Sequence, residues 1–86
     1  MIYKLIYSKR FTKDFSKLDS IVQSRILIAL ERLQTNPYEN IKKLKDMENC
    51  AFRKRVGDYR IRFDIYDGTK QIYLYHVHHR KDVYKS

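Results

Sequence analysis

The sequence contains few of the residues that interrupt a chain or cross-link it. Its 86 residues include two glycines, one proline and one cysteine. Scarce glycine and proline argue against linkers and low-complexity segments, so we expect one compact fold. The single cysteine, Cys50, excludes an internal disulfide and is typical of a reducing compartment. We expect it to act as a small apolar residue and not as a nucleophile.

Long apolar runs are also missing from the sequence. No stretch approaches the roughly 20 apolar residues that span a bilayer, and no apolar segment follows the basic start of the chain. We therefore expect a cytoplasmic protein that does not contact membranes. A chain of this length has enough apolar surface for one core, so residues 1–86 are expected to form a single domain.

Acidic residues are scarce relative to basic ones. The chain has ten Asp and Glu residues and 19 Lys and Arg residues, which gives a net charge of +9 and a pI near 9.8. So strong a positive field is most simply matched by a polyanion, and nucleic acid is the first candidate. An acidic protein or an anionic membrane surface would satisfy the same field, so charge alone does not choose among them.

The first half of the chain predicts a strand and two helices. Residues 1–8, with their β-branched and aromatic side chains, are typical of a strand. Ser8 can cap a first helix, and either Asp19 or Ser20 can cap a second helix that ends at residues 36–37, Asn-Pro. The apolar stripe of the first helix consists of Phe11, Phe15 and Leu18.

The second half predicts a loop followed by antiparallel strands. Apolar residues are sparse over residues 38–49, which we interpret as a loop. A tight hairpin turn is expected at Gly57-Asp58, and another turn is expected at Asp67-Gly68. The strands that these turns separate are predicted at residues 51–56, 59–66 and 71–78. The expected fold is α+β, with an N-terminal strand, a helical hairpin and then a curved antiparallel sheet of about four strands.

Alternation along these strands predicts a basic surface on one face of the sheet. Lys54 falls on the opposite, core face and would have to extend its side chain toward solvent. The spacing of apolar residues in the last strand breaks strict alternation, which predicts a β-bulge near Tyr75 and His76. Tyr66 and the tyrosines near positions 73 and 75 would add aromatic surface for stacking on unpaired bases. The residues of the basic surface are Arg53, Arg55, Arg60 and Arg62.

The remaining polar residues offer limited chemistry. The acidic residues lack the clustered spacing of a two-metal site, so no metal or other cofactor is expected. His76 and His78 lack further ligands at metal-binding spacing. His79 could act as a general acid or base, or it could simply pack. Tyr84 could orient a hydroxyl, or could be a surface residue.

Three segments, "LKDM", "FRKRVGDYRIRF" and "HHRKDVY", resemble the RelE/ParE superfamily of type II toxin–antitoxin toxins, and the resemblance covers essentially the whole chain. It implies a small fold like that of the microbial ribonucleases, with a helical hairpin on one face of the sheet. RelE toxins enter the ribosomal A site and cut mRNA there without a metal, through 2′-OH attack on the phosphodiester.

The resemblance also implies roles for individual residues. Arg53 and Arg55 would activate the 2′-OH or stabilise charge, and Arg60 would hold the scissile phosphate. Arg80 would stabilise the transition state or assist the leaving group, and Tyr84 would stack on a base or orient the nucleophile. The further residues expected to contact RNA are Lys42, Lys43, Lys45, Lys54, Arg62 and His79.

Alternatives remain open at this point. The family's lysines are replaced by arginines here, and arginine is a poor base at neutral pH. ParE-type relatives share the hairpin and the closing motif but are expected to inhibit DNA gyrase without cutting RNA. A non-catalytic RNA-binding module is a further alternative. For the RelE-type function, the expected partners are the ribosome, its mRNA and a cognate RelB-like antitoxin.

Overall fold

The computed structural model of the chain describes residues 2–43 and 52–81. The predictions made for Lys45, Cys50 and Tyr84 therefore lie outside the described residues. The helices are α1 (Lys9–Ser16) and α2 (Ser20–Thr35). The strands are β1 (Lys4–Tyr7), β2 (Ile41–Lys43), β3 (Phe52–Val56), β4 (Tyr59–Tyr66) and β5 (Gln71–His79).

The described strands form one five-stranded sheet in the order β1-β5-β4-β3-β2. Strand β1 pairs in parallel with β5, and the other pairs are antiparallel. The predicted α+β fold is confirmed, with one strand more than expected. Residues 41–43 were predicted as loop but pair with β3, and a strand of three residues is too short to show alternation.

Both helices begin at side-chain caps. Ser8 Oγ accepts a hydrogen bond of 3.0 Å from the backbone N–H of Phe11, as its predicted role as the cap of α1 requires. Asp19 Oδ1 accepts one of 2.9 Å from the N–H of Val22, which identifies Asp19 and not Ser20 as the cap of α2. The end of α2 at Thr35 agrees with the predicted stop.

The core lies between the helices and one face of the sheet. Each large apolar side chain of the core stabilises the fold by about 1.5–3 kcal/mol when it is fully buried. Their summed burial therefore fixes which face of β4 and β5 points toward the helices. The largest fully buried side chains are Phe11, Ile26, Leu30, Leu33, Ile61, Phe63, Ile72, Leu74 and Val77.

The two turns of the sheet differ from each other. Gly57 has φ 59° in the two-residue β3–β4 turn, a conformation that favours glycine at that position. The β4–β5 turn spans residues 67–70, as the predicted strand bounds require, and its left-handed residue is Lys70, with φ 56°, and not Gly68. This longer turn is fastened by the hydroxyls of Tyr3 and Tyr38, which both donate hydrogen bonds to the Asp67 carboxylate.

These hydrogen bonds shift the pKa values of all three side chains. The Asp67 carboxylate raises the pKa of Tyr38 to about 12 and also raises the pKa of Tyr3. The two hydroxyl donors in turn lower the pKa of Asp67, because they stabilise its charged form. Tyr3 thus ties the turn to the start of β1, and Tyr38 ties it to the segment after α2. At neutral pH both tyrosines stay protonated and Asp67 stays charged.

Strand β5 contains the predicted bulge. Arg62 pairs with His76 and Phe63 pairs with Leu74, so Tyr75 is the extra residue. Ser8 Oγ donates a hydrogen bond of 2.6 Å to the Tyr75 carbonyl. The same serine that caps α1 therefore also satisfies the backbone at the bulge.

The double role of Ser8 predicts a large effect of its removal. Ser8→Ala should lower the free energy of unfolding by about 1–2 kcal/mol, since a helix loses its cap and the Tyr75 carbonyl loses its donor. Urea denaturation would measure the change. The matched control is Ser24→Ala, because the exposed Ser24 hydroxyl bonds only to the Ser20 carbonyl within α2. Equal losses in the two variants would contradict this role of Ser8.

Candidate nucleic-acid interface

Four arginines occupy adjacent positions on the face of the sheet opposite the helices. Arg53 pairs with Arg62 and Arg55 pairs with Arg60 across β3 and β4. The Cβ atoms of directly opposed residues lie roughly 4.5–5.5 Å apart, so the four side chains leave the sheet side by side. We call this group (Arg53, Arg55, Arg60 and Arg62) the arginine face. The prediction that these residues share one surface is confirmed.

Exposure varies within the arginine face. Arg55 is exposed and Arg53 and Arg62 are half-buried, whereas Arg60 is only 9% exposed. The expectation that Arg60 faces solvent is therefore wrong. Arg60 lies on the central strand between Arg55 and His78, and side chains on both neighbouring strands limit its access to water. Its guanidinium is thus the most enclosed charge of the four.

The predicted lysine contacts are divided between the two faces. Lys42 pairs with Arg53 and is exposed, so it extends the arginine face onto β2. Lys43 is also exposed but pairs with Phe52, which packs against the core. Lys54 is 8% exposed, and its Nζ donates a hydrogen bond of 3.3 Å to the carbonyl of Glu39. Lys54 faces the core, as the alternation predicted, and so lies on the side of the sheet opposite the arginine face.

His79 and Arg80 lie at the end of the sheet next to the β3–β4 turn. His79 pairs with Tyr59, and its ring meets the Tyr59 ring edge-on, on the side of the sheet that faces the helices. The His79 ring therefore packs on Tyr59, on the side of the sheet opposite the arginine face. The side chain of Arg80 is 59% exposed, and its Nε lies 3.7 Å from Asp58 Oδ1. Arg80 is solvent-facing, as predicted.

The bulge at Tyr75 places two histidines beside the arginine face. His76 pairs with Arg62 and His78 pairs with Arg60. Their rings are stacked with an interplanar angle of 27°, and their Nδ1 atoms are 3.0 Å apart. Burial lowers the pKa of His76 to about 4, and the nearby charges of His78, Arg10 and Arg62 act in the same direction. His76 is therefore neutral at physiological pH.

Tyrosines border the arginine face on β4 and β5. Tyr66 is 47% exposed, and the rings of Tyr73 and Tyr75 are 4.8 Å apart. Tyr75 donates a hydrogen bond of 2.9 Å to Asp64 Oδ2. Burial raises the pKa of Tyr75, as do its hydrogen bonds with Tyr66 and Asp64. The Tyr75 hydroxyl is therefore protonated at neutral pH. The exposed ring of Tyr66 offers a surface for stacking.

The histidine pair is the feature that sequence reasoning missed. Both histidines were weighed only as metal ligands, because the bulge left their facing undecided. The useful signal is the i, i+2 spacing of His76 and His78 after a break in alternation, since residues at that spacing share a face of a strand. Together with the arginine face, the pair places the neutral imidazole of His76 beside permanent cations, an arrangement that can bind a phosphate and exchange a proton.

A family model described as the ParE toxin of type II toxin–antitoxin systems matches residues 5–84. The fold and this match together define the class: the chain belongs to the RelE/ParE superfamily. It is a toxin of a type II toxin–antitoxin system.

Individual relatives agree with this assignment. Toxin RelE3 of Methanocaldococcus jannaschii is 34% identical, with 94% of each chain covered. The RelB–RelE antitoxin–toxin complex of Methanococcus jannaschii has a chain that is 32% identical, with a TM-score of 0.72 and coverage of 93% of this chain and 95% of that one. The RelBE2 complex of Mycobacterium tuberculosis shares the fold, with a TM-score of 0.83 at 23% identity over 93% of this chain and all of the other.

Neither helix in the described part of the chain has the length and apolar content that a membrane crossing requires.

The pKa of His76 can be measured directly. An NMR titration of its imidazole proton should give a midpoint near 4, and Arg10→Gln should raise that midpoint because it removes one of the cations that oppose protonation. As the folded state keeps His76 neutral, the free energy of unfolding should fall as the pH drops from about 6.5, the ordinary histidine value, toward 4. The control is Arg25→Gln on the exposed side of α2. A midpoint near the ordinary value would contradict the assigned environment.

Proposed function

We propose that this toxin is an endoribonuclease that cuts mRNA in the ribosomal A site and so inhibits translation. The observation that carries the proposal is the arginine face, in which guanidinium groups on two adjacent strands lie side by side next to the histidine pair. Relatives at 32–34% identity are named RelE toxins, which favours the RNA-cutting class.

The chemistry assigns one task to each part of the site. In 2′-OH attack, the O2′–P bond forms as the P–O5′ bond breaks, and negative charge builds on the phosphate oxygens. Preorganised cations stabilise that charge, usually the largest contribution to catalysis. Arg60 would hold the scissile phosphate because its guanidinium is enclosed and can bind bidentately.

The outer residues would act at the periphery of the phosphate. Arg53 and Arg55 would stabilise the developing charge rather than transfer protons, since guanidinium remains protonated at neutral pH. Arg80 would assist the leaving 5′-oxygen from the turn end of the sheet. Arg62 and Lys42 would contact the neighbouring backbone phosphates, and Tyr84 keeps its proposed role of stacking on a base or orienting the nucleophile.

A RelB-like antitoxin is the proposed protein partner. The solved relatives include RelB–RelE antitoxin–toxin complexes. An acidic segment of such an antitoxin would neutralise the arginine face and exclude RNA from it. Helix α2 also exposes large apolar side chains, with Ile21 67% and Ile28 57% exposed, which suit the apolar side of an amphipathic segment.

Gyrase inhibition is the second candidate function, because the matching family model is that of ParE. Purified toxin should be added both to ribosomes translating a defined mRNA and to a gyrase supercoiling reaction. Primer extension that reveals cuts in the A-site codon, with supercoiling unaffected, supports the endoribonuclease. Blocked supercoiling without mRNA cuts would refute it and support the gyrase inhibitor. Toxin that binds ribosomes but does neither would be a non-catalytic RNA-binding module.

Variants of exposed arginines test the site without disturbing the core. Arg80→Ala and Arg55→Ala should each slow mRNA cleavage about 10²–10³-fold, the usual cost of removing one group that stabilises transition-state charge. The fold should survive Arg80→Ala, since an exposed ion pair such as Arg80–Asp58 contributes only about 0–1 kcal/mol. Arg25→Ala removes one positive charge from exposed α2 and should cut at the wild-type rate.

The enclosed Arg60 needs a stability measurement beside its activity assay. Arg60→Gln should also slow cleavage by at least the factor expected for Arg55→Ala, because Arg60 is the residue proposed to hold the scissile phosphate. Urea denaturation would show whether the variant remains folded under assay conditions. Wild-type cleavage by folded Arg60→Gln and Arg80→Ala would refute the assigned site.

A further inference from the structure

We propose that His76 is the general base of the reaction, accepting the 2′-hydroxyl proton at Nε2, and that His78 is a positioning residue that fixes the tautomer of His76. This inference rests on the endoribonuclease activity proposed above. It deepens that proposal by assigning the proton transfer, which the arginines cannot perform.

The need for such a group follows from the composition of the arginine face. Guanidinium does not lose its proton at neutral pH, so Arg53 and Arg55 can bind and stabilise an anion but cannot activate a hydroxyl. Histidine is the side chain whose ordinary pKa lies near neutrality. His76 and His78 are the histidines on this face, since His79 packs on Tyr59 on the other side of the sheet.

Strand register places both rings next to the proposed phosphate site. His76 is directly opposite Arg62 and His78 directly opposite Arg60, so the two imidazoles continue the two rows of arginines. A scissile phosphate held by Arg60, with the next backbone phosphate at Arg62, would therefore lie beside both rings. This is the arrangement in which a base can reach the 2′-hydroxyl next to the scissile bond.

The contact between the rings assigns different roles to them. Because their Nδ1 atoms are 3.0 Å apart, one Nδ1 donates a hydrogen bond and the other accepts it. The Nε2 atom of His78 is covered from solvent, so we assign the contact with the ligand to Nε2 of the half-buried His76. If His76 donates from Nδ1, its Nε2 carries no proton and is ready to accept one.

Charged groups on three elements set the basicity of His76. Burial disfavours its protonation, as do His78 on β5, Arg10 on α1 and Arg62 on β4. Arg10 is itself partly offset by Asp14, whose Oδ2 lies 4.0 Å from Arg10 Nε. A phosphate bound to the arginines would offset their positive charge and raise the pKa of His76 toward the working pH, where a general base is most effective. Binding of the RNA would thus make His76 a stronger base for the 2′-hydroxyl proton.

The proposed step conserves atoms and protons. The 2′-hydroxyl proton moves to His76 Nε2 while O2′ bonds to phosphorus and the P–O5′ bond breaks. The leaving 5′-oxygen takes a proton from water, and His76 later releases its proton to solvent. The products are a 2′,3′-cyclic phosphate and a 5′-hydroxyl, with no net consumption of water.

Single-turnover cleavage on ribosome–mRNA complexes saturated with toxin tests this assignment across acidic to mildly alkaline pH. The wild-type rate should rise with pH along an acid limb and then level off. His76→Asn should cut about 10²–10⁴-fold more slowly and lose the limb, because the base is gone. His78→Asn should lose less activity and move the limb, because the base remains but is no longer oriented. His79→Asn is the matched control and should retain both rate and profile.

The outcomes separate this inference from the proposal beneath it. If the wild-type toxin makes no cuts, the endoribonuclease proposal itself fails. If the wild type cuts and His76→Asn matches its rate, or is slow but keeps the acid limb, only the assignment of His76 is overturned. Nitrogen-15 NMR of wild-type toxin tests it without a variant: Nε2 of His76 should have the shift of an unprotonated ring nitrogen at neutral pH, and a protonated Nε2 would overturn the assignment.

Discussion

The position of one extra residue, Tyr75, determines both the core and the candidate site. With the bulge, Leu74 and Val77 both enter the core although they are three residues apart, and the intervening His76 joins the arginine face. Strict alternation after Leu74 would direct both His76 and His78 toward the core and would place Val77 among the arginines. The hydrogen bond from Ser8 to the Tyr75 carbonyl ties this irregularity to the start of α1. The geometry of the site is therefore set by the same contacts that stabilise the fold.

The arginine face is tolerated because the core outweighs its repulsion. Like charges directly opposed on neighbouring strands cost on the order of 0.2–1 kcal/mol per pair, whereas each large buried side chain contributes about 1.5–3 kcal/mol. The free toxin thus keeps an electrostatic strain that a polyanion relieves. RNA and an acidic antitoxin segment would both relieve it at the same residues, so their binding would be mutually exclusive. Neutralisation would then need no change in the shape of the toxin, since occupying the arginine face is sufficient.

Local patterns predicted the features of this fold that depend on neighbouring residues in the chain. Ser8 as a cap, the Gly57 turn and the common facing of the arginines follow from spacing alone. Features that depend on distant residues were missed or wrong. The burial of Arg60 arises from side chains on both adjacent strands, and the strand at residues 41–43 forms only because β3 pairs with it. The β4–β5 turn lies where the strand bounds predicted it, but the tyrosines from elsewhere in the chain that bind Asp67 in it were not predicted.

The histidine pair also bears on whether this surface binds RNA only or cuts it. A surface that only bound a polyanion would have a higher affinity for it with additional permanent cations at positions 76 and 78. Here those positions hold imidazoles, and the environment of His76 lowers its pKa and so removes positive charge at neutral pH. That arrangement weakens simple anion binding and supplies a neutral proton acceptor where the arginines offer none. Two histidines held in contact by a bulge are therefore better explained by a proton-transfer reaction on a bound phosphate than by binding alone.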